Sequence, residues 1–452
     1  MRILLIGFGS VGQALLPLLR GYFGLSPASI EAIAADERGR QVADAFGIRL
    51  ENRPLTPGNY RDLLHGRLRP GDVLINVAVD VSSLALIGWC REHGVLYLDT
   101  CVEPWAGGYA AADASTTNHA LRNAALAMHA PGAPTAVIAH GANPGLVSHL
   151  AKEGLLALAA VRGIRVETRA AWAAMTCALG VRVVQIAERD TQRAGMMRPA
   201  GCFDNTWSVD GFLSEAWQCA ELGWGSHEPC LPLDAHRLGA DESGAIHLDA
   251  HGAEVRVKSW LPSCGEQEAW LITHHEALSL AGLLTLRDGA GSLVHRPTVY
   301  YAYRPCPAAV RSLEAWVAAG FPSPRHKQVL GDALLDGFDQ LGVLFVFDGG
   351  AYWYGSTLTL HEARALAPHN TATSLPVVAG ILGALDWMRA HPRAGVVEAE
   401  AMDHARVLAV ARPYLGTVSG VLTDWQPGPA GELSFDNFRL SSAMRKRELE
   451  AV

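Results

Sequence analysis

Basic side chains are missing from one acidic stretch of this chain. Residues 204–225, DNTWSVDGFLSEAWQCAELGWG, hold three tryptophans and four carboxylates with no lysine or arginine. Elsewhere there is no long basic run, and the formal net charge of −8 argues against a nucleic-acid partner. None of the eight cysteines, at 90, 101, 177, 202, 219, 230, 264 and 306, sits in a CxxC pair or at metal-ligand spacing. That speaks against a zinc site or a redox dithiol built on them, and reduced structural thiols with no metal site are expected. No apolar run reaches transmembrane length. The opening MRILLIGFGSVGQ lacks the layout of a secretory signal, so a cytoplasmic protein is expected. Internal repeats and long low-complexity linkers are also absent.

What is present suits a well-buried globular protein: 49% of residues are hydrophobic, and 452 residues exceed what one core covers, so two packed domains are expected. Tryptophan and carboxylate are the side chains that hold an organic cation, one by its π face and one by its charge. Residues 204–225 therefore point to a cationic ligand, against the plainer reading of core indoles and a solvated acidic face.

Residues 2–6 are a short β-branched and leucine-rich run, followed by Gly7-Phe8-Gly9-Ser10-Val11-Gly12 and a helical pattern over 13–20. This is G-x-G-x-x-G in the setting it requires, where glycines permit the tight turn and bring a pyrophosphate to the helix N-terminus. Strand patterns at 30–34, 72–78 and 95–98 alternate with helical ones at 38–45, 60–65 and 82–93. The expected fold class is α/β, an N-terminal Rossmann doubly wound parallel sheet over residues 1–145 that binds a dinucleotide through Gly7, Gly9, Ser10, Val11 and Gly12. Asp36, just beyond the second strand in IAADERGR, reaches the ribose hydroxyls if the cofactor is NAD; Arg38 or Arg40 meets a 2′-phosphate if it is NADP. Asp80 and Glu103 fall at strand ends, which points both toward the mouth of the cofactor crevice. The alternative is that they cap the next helix, with Ser82 and Ser83 following Asp80.

Residues 135–140 form another strand pattern, ending in Gly141-Ala142-Asn143-Pro144-Gly145 before an apolar helix pattern over 146–160. Strand patterns at 182–186, 270–273 and 298–303 then alternate with glycine- and proline-rich loops. A second α+β domain with a mixed sheet is expected over 146–370, for substrate binding and dimerisation. The apolar helix pattern at 374–391 opens a C-terminal segment, 371–452, expected to pack back on the first domain. Its tail, with Arg445, Lys446, Arg447 and Glu448, is expected at the surface. Trp217 and Trp224, seven apart, suit one face of a helix, and Glu188-Arg189-Asp190 suits an ion-paired surface turn.

Ten segments in order, GFGSVG, NVAVDVSSL, DTCVEPW, GANPG, IAERDTQ, NTWSVDGFLSE, ELGWG, ITHHEALS, YAYRP and AYWYG, resemble bacterial homospermidine synthase, of the saccharopine-dehydrogenase-like group. The resemblance implies a homodimer with tightly held NAD that joins two putrescines into homospermidine and releases ammonia, or joins putrescine and spermidine and releases diaminopropane. It implies a cation-π role for Trp207 with Glu215 close by, and a line of acids, Asp80, Glu103 and Glu215, that guides the amine inward. By the same matching Asn143, Glu188 and His274 join the catalytic set. His275 departs from the pattern, standing where the family has a small polar residue.

Putrescine is a dication, yet hydride leaves only a carbon whose nitrogen has a free lone pair, so the reacting amine must lose a proton inside the pocket. His274 or Glu188 is the expected base. A rival reading is a carboxyspermidine- or saccharopine-dehydrogenase-like enzyme that couples an amine to an oxo acid with NAD(P)H. Its substrate carboxylate calls for an unpaired arginine, and Arg189, Arg193 and Arg198 all precede the tryptophan segment. A non-catalytic dinucleotide-binding sensor is a third reading, with no use for an acid-and-indole set.

Overall fold

The computed structural model describes residues 1–110, 117–164, 172–195, 201–239, 241–428 and 432–440. Arg198 and the tail with Arg445, Lys446, Arg447 and Glu448 lie outside them.

The short apolar runs of the N-terminal third become strands Ile3–Ile6, Val73–Asn76 and Leu96–Asp99, each buried at all four positions. Strands covered on both faces read as continuous apolar runs rather than alternating ones, which is what a parallel sheet needs. The sheet has seven parallel strands in the order Val396–Val397, Ala136–Val137, Leu96–Asp99, Val73–Asn76, Ile3–Ile6, Ile30–Ala34, Arg49–Asn52. Strand order reverses beside Ile3–Ile6, so the crevice for a ligand opens at the carboxyl ends there. The first strand in that order comes from the far C-terminal part of the chain. Helix Ser374–Ala390 shares one apolar cluster with helix Ser10–Phe23. It passes so close to the GANPG loop that a Cβ on Gly380 would stand 2.0 Å from the Gly141 carbonyl oxygen.

The second sheet is mixed. Its central strand, Val181–Asp190, runs parallel to Thr298–Arg304 and antiparallel to Phe338–Phe347. Beyond these lie Gly350–Thr359 and Thr417–Thr423 on one side and Cys219–Gly223 and Ala245–His251 on the other. Period-2 alternation sorts the side chains: Ile186, Tyr301, Tyr303 and Leu341 join one apolar cluster, and Ala187, Tyr300 and Ala302 join another across the sheet.

Two local expectations are corrected here. Glu188-Arg189-Asp190 is no surface turn; it ends the ten-residue central strand, with Glu188 and Asp190 buried. Trp217 and Trp224 do not share a helix. Helix Val209–Trp217 stops at Trp217, Gln218 is extended, and strand Cys219–Gly223 intervenes because its pairing with Ala245–His251 overrides helical spacing. Trp224 is buried against Phe435, whereas Trp217 is 39% exposed and stacks on His251.

Buried polar ties join the two sheets' surroundings. Glu398 takes both Arg122 nitrogens and also meets His275, and Lys152 donates to the carbonyls of Ala399, Glu400 and Met402. His275, the departure from the family pattern, is thus a structural brace. Glu221 accepts the amides of Asn118 and His119 at the start of helix Asn118–Ala127, using a carboxylate to satisfy orphan donors.

Candidate functional site

The glycine turn fits a dinucleotide. Gly7 has φ +89°, and a Cβ there would meet the backbone of Val77 and Ala78 at 2.8 Å. Gly12 abuts the Gly7 carbonyl in the same way, whereas beside Gly9 nothing lies within 4 Å. Helix Ser10–Phe23 starts with no side-chain cap and Val11 in its first turn, so its N-terminal amides face open space suited to a pyrophosphate. Asp36 follows strand Ile30–Ala34, and Arg38 donates to both its oxygens from backbone and guanidinium; Arg40 is committed to Glu37 and the Leu50 carbonyl. Asp36 thus stands just past the end of the second strand, where a carboxylate meets ribose hydroxyls, and that suits NAD.

Asp80 and Glu103 are brought together by the sheet. Ser83 and Glu103 exchange bonds between two loop ends, and the Asp80 amide donates to Glu103 Oε2 at 3.4 Å. Neither acid caps the following helix; Ser82 does, accepting from the Ala85 amide. Asp80, at φ +61°, stays exposed, and burial together with Asp210 raises its pKa. Asp210 and Lys327 pair beside it. Glu103 is only 6% exposed, so it stands behind Asp80 rather than at the mouth, and burial drives its pKa up to about 8.

The four carboxylates of 204–225 have separate fates. Asp204 is buried in strand Cys202–Asn205, Asp210 is at the rim, Glu221 caps a helix, and Glu215 alone turns toward the histidine of ITHHEALS. Ser208 caps the N-terminus of helix Val209–Trp217, with Trp207 just before the cap and Glu215 in the last turn of the helix. Trp207 is half-buried, its Nε1 donates to the Tyr303 hydroxyl at 3.2 Å, and its ring lies 5.5 Å from that of Phe212.

His274 bridges Glu215 at 3.0 Å and Glu276 at 3.2 Å, with its ring 4.4 Å from Tyr301. Burial pulls its pKa down, but the two carboxylates outweigh burial and hold it at about 10. It is an imidazolium at neutral pH, with both nitrogens already donating.

Glu188 is buried near the end of the central strand. Its Oε2 accepts from Asn143 Nδ2 at 2.9 Å and the Tyr301 hydroxyl at 2.6 Å, and burial raises its pKa from the ordinary carboxylate range. Asn143 is therefore more than a turn residue. Strand register puts Tyr303 beside Glu188 and Asp339 opposite Asp190, so Tyr301, Tyr303, Glu188, Asp190 and Asp339 share one face of three adjoining strands. Asp190, Glu276, Asp339 and the two tyrosines were missed from sequence. The tyrosines had a usable signal, the alternation in YYAYR; Asp190 and Asp339 sit in strands whose pairing no local pattern reveals. Among the described residues no lysine or arginine forms an ion pair with Glu103, Glu188, Asp190, Glu215 or Asp339, while Arg193 pairs with Asp336 and Arg189 donates to Gln267.

Residues 3–137 match the saccharopine dehydrogenase NADP binding domain, and residues 141–422 match the saccharopine dehydrogenase C-terminal domain. The chain is 43% identical to homospermidine synthase of Blastochloris viridis over 94% of its own length and 92% of that protein. It is likewise 43% identical to homospermidine synthase of Mesorhizobium japonicum, over 94% and 91%. The crystal structure of homospermidine synthase from Legionella pneumophila in complex with NAD is 40% identical, with a TM-score of 0.89 over 98% of both chains.

Proposed function

The chain belongs to the homospermidine synthases, within the saccharopine dehydrogenase family, and from that premise we propose that it couples two putrescines into homospermidine with release of ammonia. Spermidine replacing one putrescine, with release of diaminopropane, is the minor variant of the same reaction. It is an NAD-dependent enzyme, working as a homodimer, and its eight free cysteines suit the reducing cytoplasm. Among the described residues no helix is long and apolar enough to cross a membrane.

One observation carries the proposal: a linked set of carboxylates, Asp80, Glu103, Glu215 and Glu188, the last three with no lysine or arginine as ion-pair partner among the described residues. The one cation that the described residues set among them is the His274 imidazolium on Glu215, so the acids outnumber it and suit a further, bound cation. An oxo-acid substrate has no guanidinium to meet in this set, which disfavours reductive amine and oxo-acid coupling.

NAD, when bound at the glycine turn, supplies a reversible hydride acceptor, so no reductant is consumed. Asp80 draws the diamine in, and Glu103 and Glu215 pair with its ammonium ends. Glu188 takes the proton from the reacting amine. His274, already cationic, does not compete for that proton; it orients Glu215 and keeps cationic charge opposite Glu188. Asn143 and Tyr301 hold Glu188 in place. Trp207 offers its face to the substrate-derived iminium cation, a contact of about 0.5–2 kcal/mol that strengthens when water is excluded. Retention of that cation until the second amine attacks follows from the surrounding acids.

The test is product analysis by mass spectrometry after incubating the protein with putrescine and a trace of NAD. Homospermidine and ammonia in equal amounts, far beyond the NAD supplied, are expected; a requirement for an oxo acid and added NAD(P)H would overturn the proposal.

Glu103 gives a second expectation. Its raised pKa means that pairing with an ammonium displaces a proton, so putrescine affinity rises with pH up to about 8. Calorimetry in buffers of different ionisation enthalpy should record less proton release for Glu103→Gln than for the parent. Equal release would exclude Glu103 as the titrating partner. Salt-dependent steering belongs to exposed Asp80 instead.

A further inference from the structure

We propose that Asp339 is a positioning residue for amine deprotonation: it acts as a neutral carboxylic acid that donates a hydrogen bond to ionised Glu188 and thereby keeps Glu188 the group that takes the proton. This rests on the role given to Glu188 above.

Three carboxyl groups, Glu188, Asp190 and Asp339, share one buried face with exposures of 3%, 2% and 3%. Three negative charges cannot coexist in so dry a place, and their hydrogen-bond partners decide which group stays protonated. Asp190 accepts from the Gln192 amide at 2.8 Å, Gln192 Nε2 at 3.1 Å, Thr206 at 2.6 Å and Thr373 at 3.3 Å, a solvation shell for an anion. Glu188 accepts from Asn143 and Tyr301 and feels the His274 cation. Asp339 has the poorest surroundings. Its Oδ1 is buried with no partner among the described residues, the Gln340 amide is the one donor acting on its carboxyl, and Glu188 and Asp190 are the charges that act on it. Burial and then those two acids raise its pKa well above the carboxylate range, and strand register sets it directly opposite Asp190, on the face that Glu188 shares.

The groups facing the trio from adjoining elements keep their protons at neutral pH and leave no other base among the described residues. Tyr301 and Tyr303, from strand Thr298–Arg304, are phenols raised well above their ordinary range by burial, and Cys306, beside Asp190, is pushed to about 12. His274 is already cationic. In the step itself the ammonium N–H bond breaks, the proton goes to the Glu188 carboxylate and the electron pair stays on nitrogen. Asp339 keeps its own proton throughout, as a carboxylic acid held neutral by an apolar site can do at neutral pH.

Two variants of the NAD-loaded enzyme separate a neutral donor from an anion. Asp339→Asn keeps a neutral donor, so kcat/KM is expected within about 3-fold of the parent, with the acid limb of its pH profile in place. Asp339→Ala loses the donor; kcat is expected to fall about 10-fold or more, and the acid limb to move to higher pH, because ionised Glu188 loses a hydrogen bond. An acid limb that moves to lower pH in either variant marks Asp339 as an anion and overturns the proposal, as does an Asn variant as impaired as the Ala variant. Thermal melts confirm folding. Difference infrared spectra of parent against Asp339→Asn decide the matter independently of turnover: the C=O stretch of a protonated acid at pH 8 is expected in the parent only, and its absence there overturns the assignment. A parent that makes no homospermidine would instead defeat the functional proposal.

Discussion

Glu188→Gln should lower kcat by about 10²–10⁴-fold, the range spanned by positioned general acid–base groups, while leaving the fold intact. Glutamine matches the carboxylate in shape and still accepts from Asn143 and Tyr301, but it takes no proton. The stability readout distinguishes a catalytic role from a structural one. Glu188 holds its proton more tightly folded than unfolded, because burial raises its pKa above the ordinary 4.5. The stability it contributes is therefore fully present below that value and is lost as pH rises through the raised folded pKa. Glutamine does not titrate, so the variant should melt no lower than the parent at pH 8, and its melting temperature should decline less steeply above pH 5. A variant that melts normally and turns over within 3-fold of the parent would remove Glu188 as the base and return attention to His274, despite its cationic state.

Replacing Trp207 should separate ring from volume. Trp207→Phe loses the indole nitrogen's bond to Tyr303 but keeps an aromatic face, and about a 10-fold loss in kcat/KM is expected. Trp207→Ala loses both, and the loss should exceed about 100-fold, the larger part in kcat because the iminium is more tightly held than the diamine. Truncation of a half-buried tryptophan beside Phe212 also costs packing, so melting curves must accompany the rates. Equal rates for the Phe and Ala variants would mean that the ring face contributes nothing and that the hydrogen bond to Tyr303 is what matters.

Much of the architecture was legible locally. The glycine turn, the buried runs and the long apolar helices each carry their own period, so most elements of residues 3–99 and helices Leu146–Val161 and Ser374–Ala390 could be placed within a few positions, while the half-exposed edge strand Arg49–Asn52 has no apolar run and was missed. Spacing failed where pairing overrode it: the seven-residue interval between Trp217 and Trp224 spans a helix end and a strand, and Glu188-Arg189-Asp190 belongs to the central strand.

The site divides in the same way. Residue type and strand-end position alone pointed to a cationic ligand, to Asp80 and Glu103, and to the nucleotide turn, because these depend on local geometry. Asn143, Glu188, Trp207, Glu215 and His274 were picked out by family motifs, but their relations were not visible. That His274 is a cation held between two acids, that Glu103 stands behind Asp80, and that Asp190 and Asp339 crowd Glu188 depend on which strands adjoin. Protonation in a buried pocket is set by neighbours distant in sequence, so the sequence alone set which acids and indoles this protein carries, and the tertiary fold decided which carboxyls crowd together out of water.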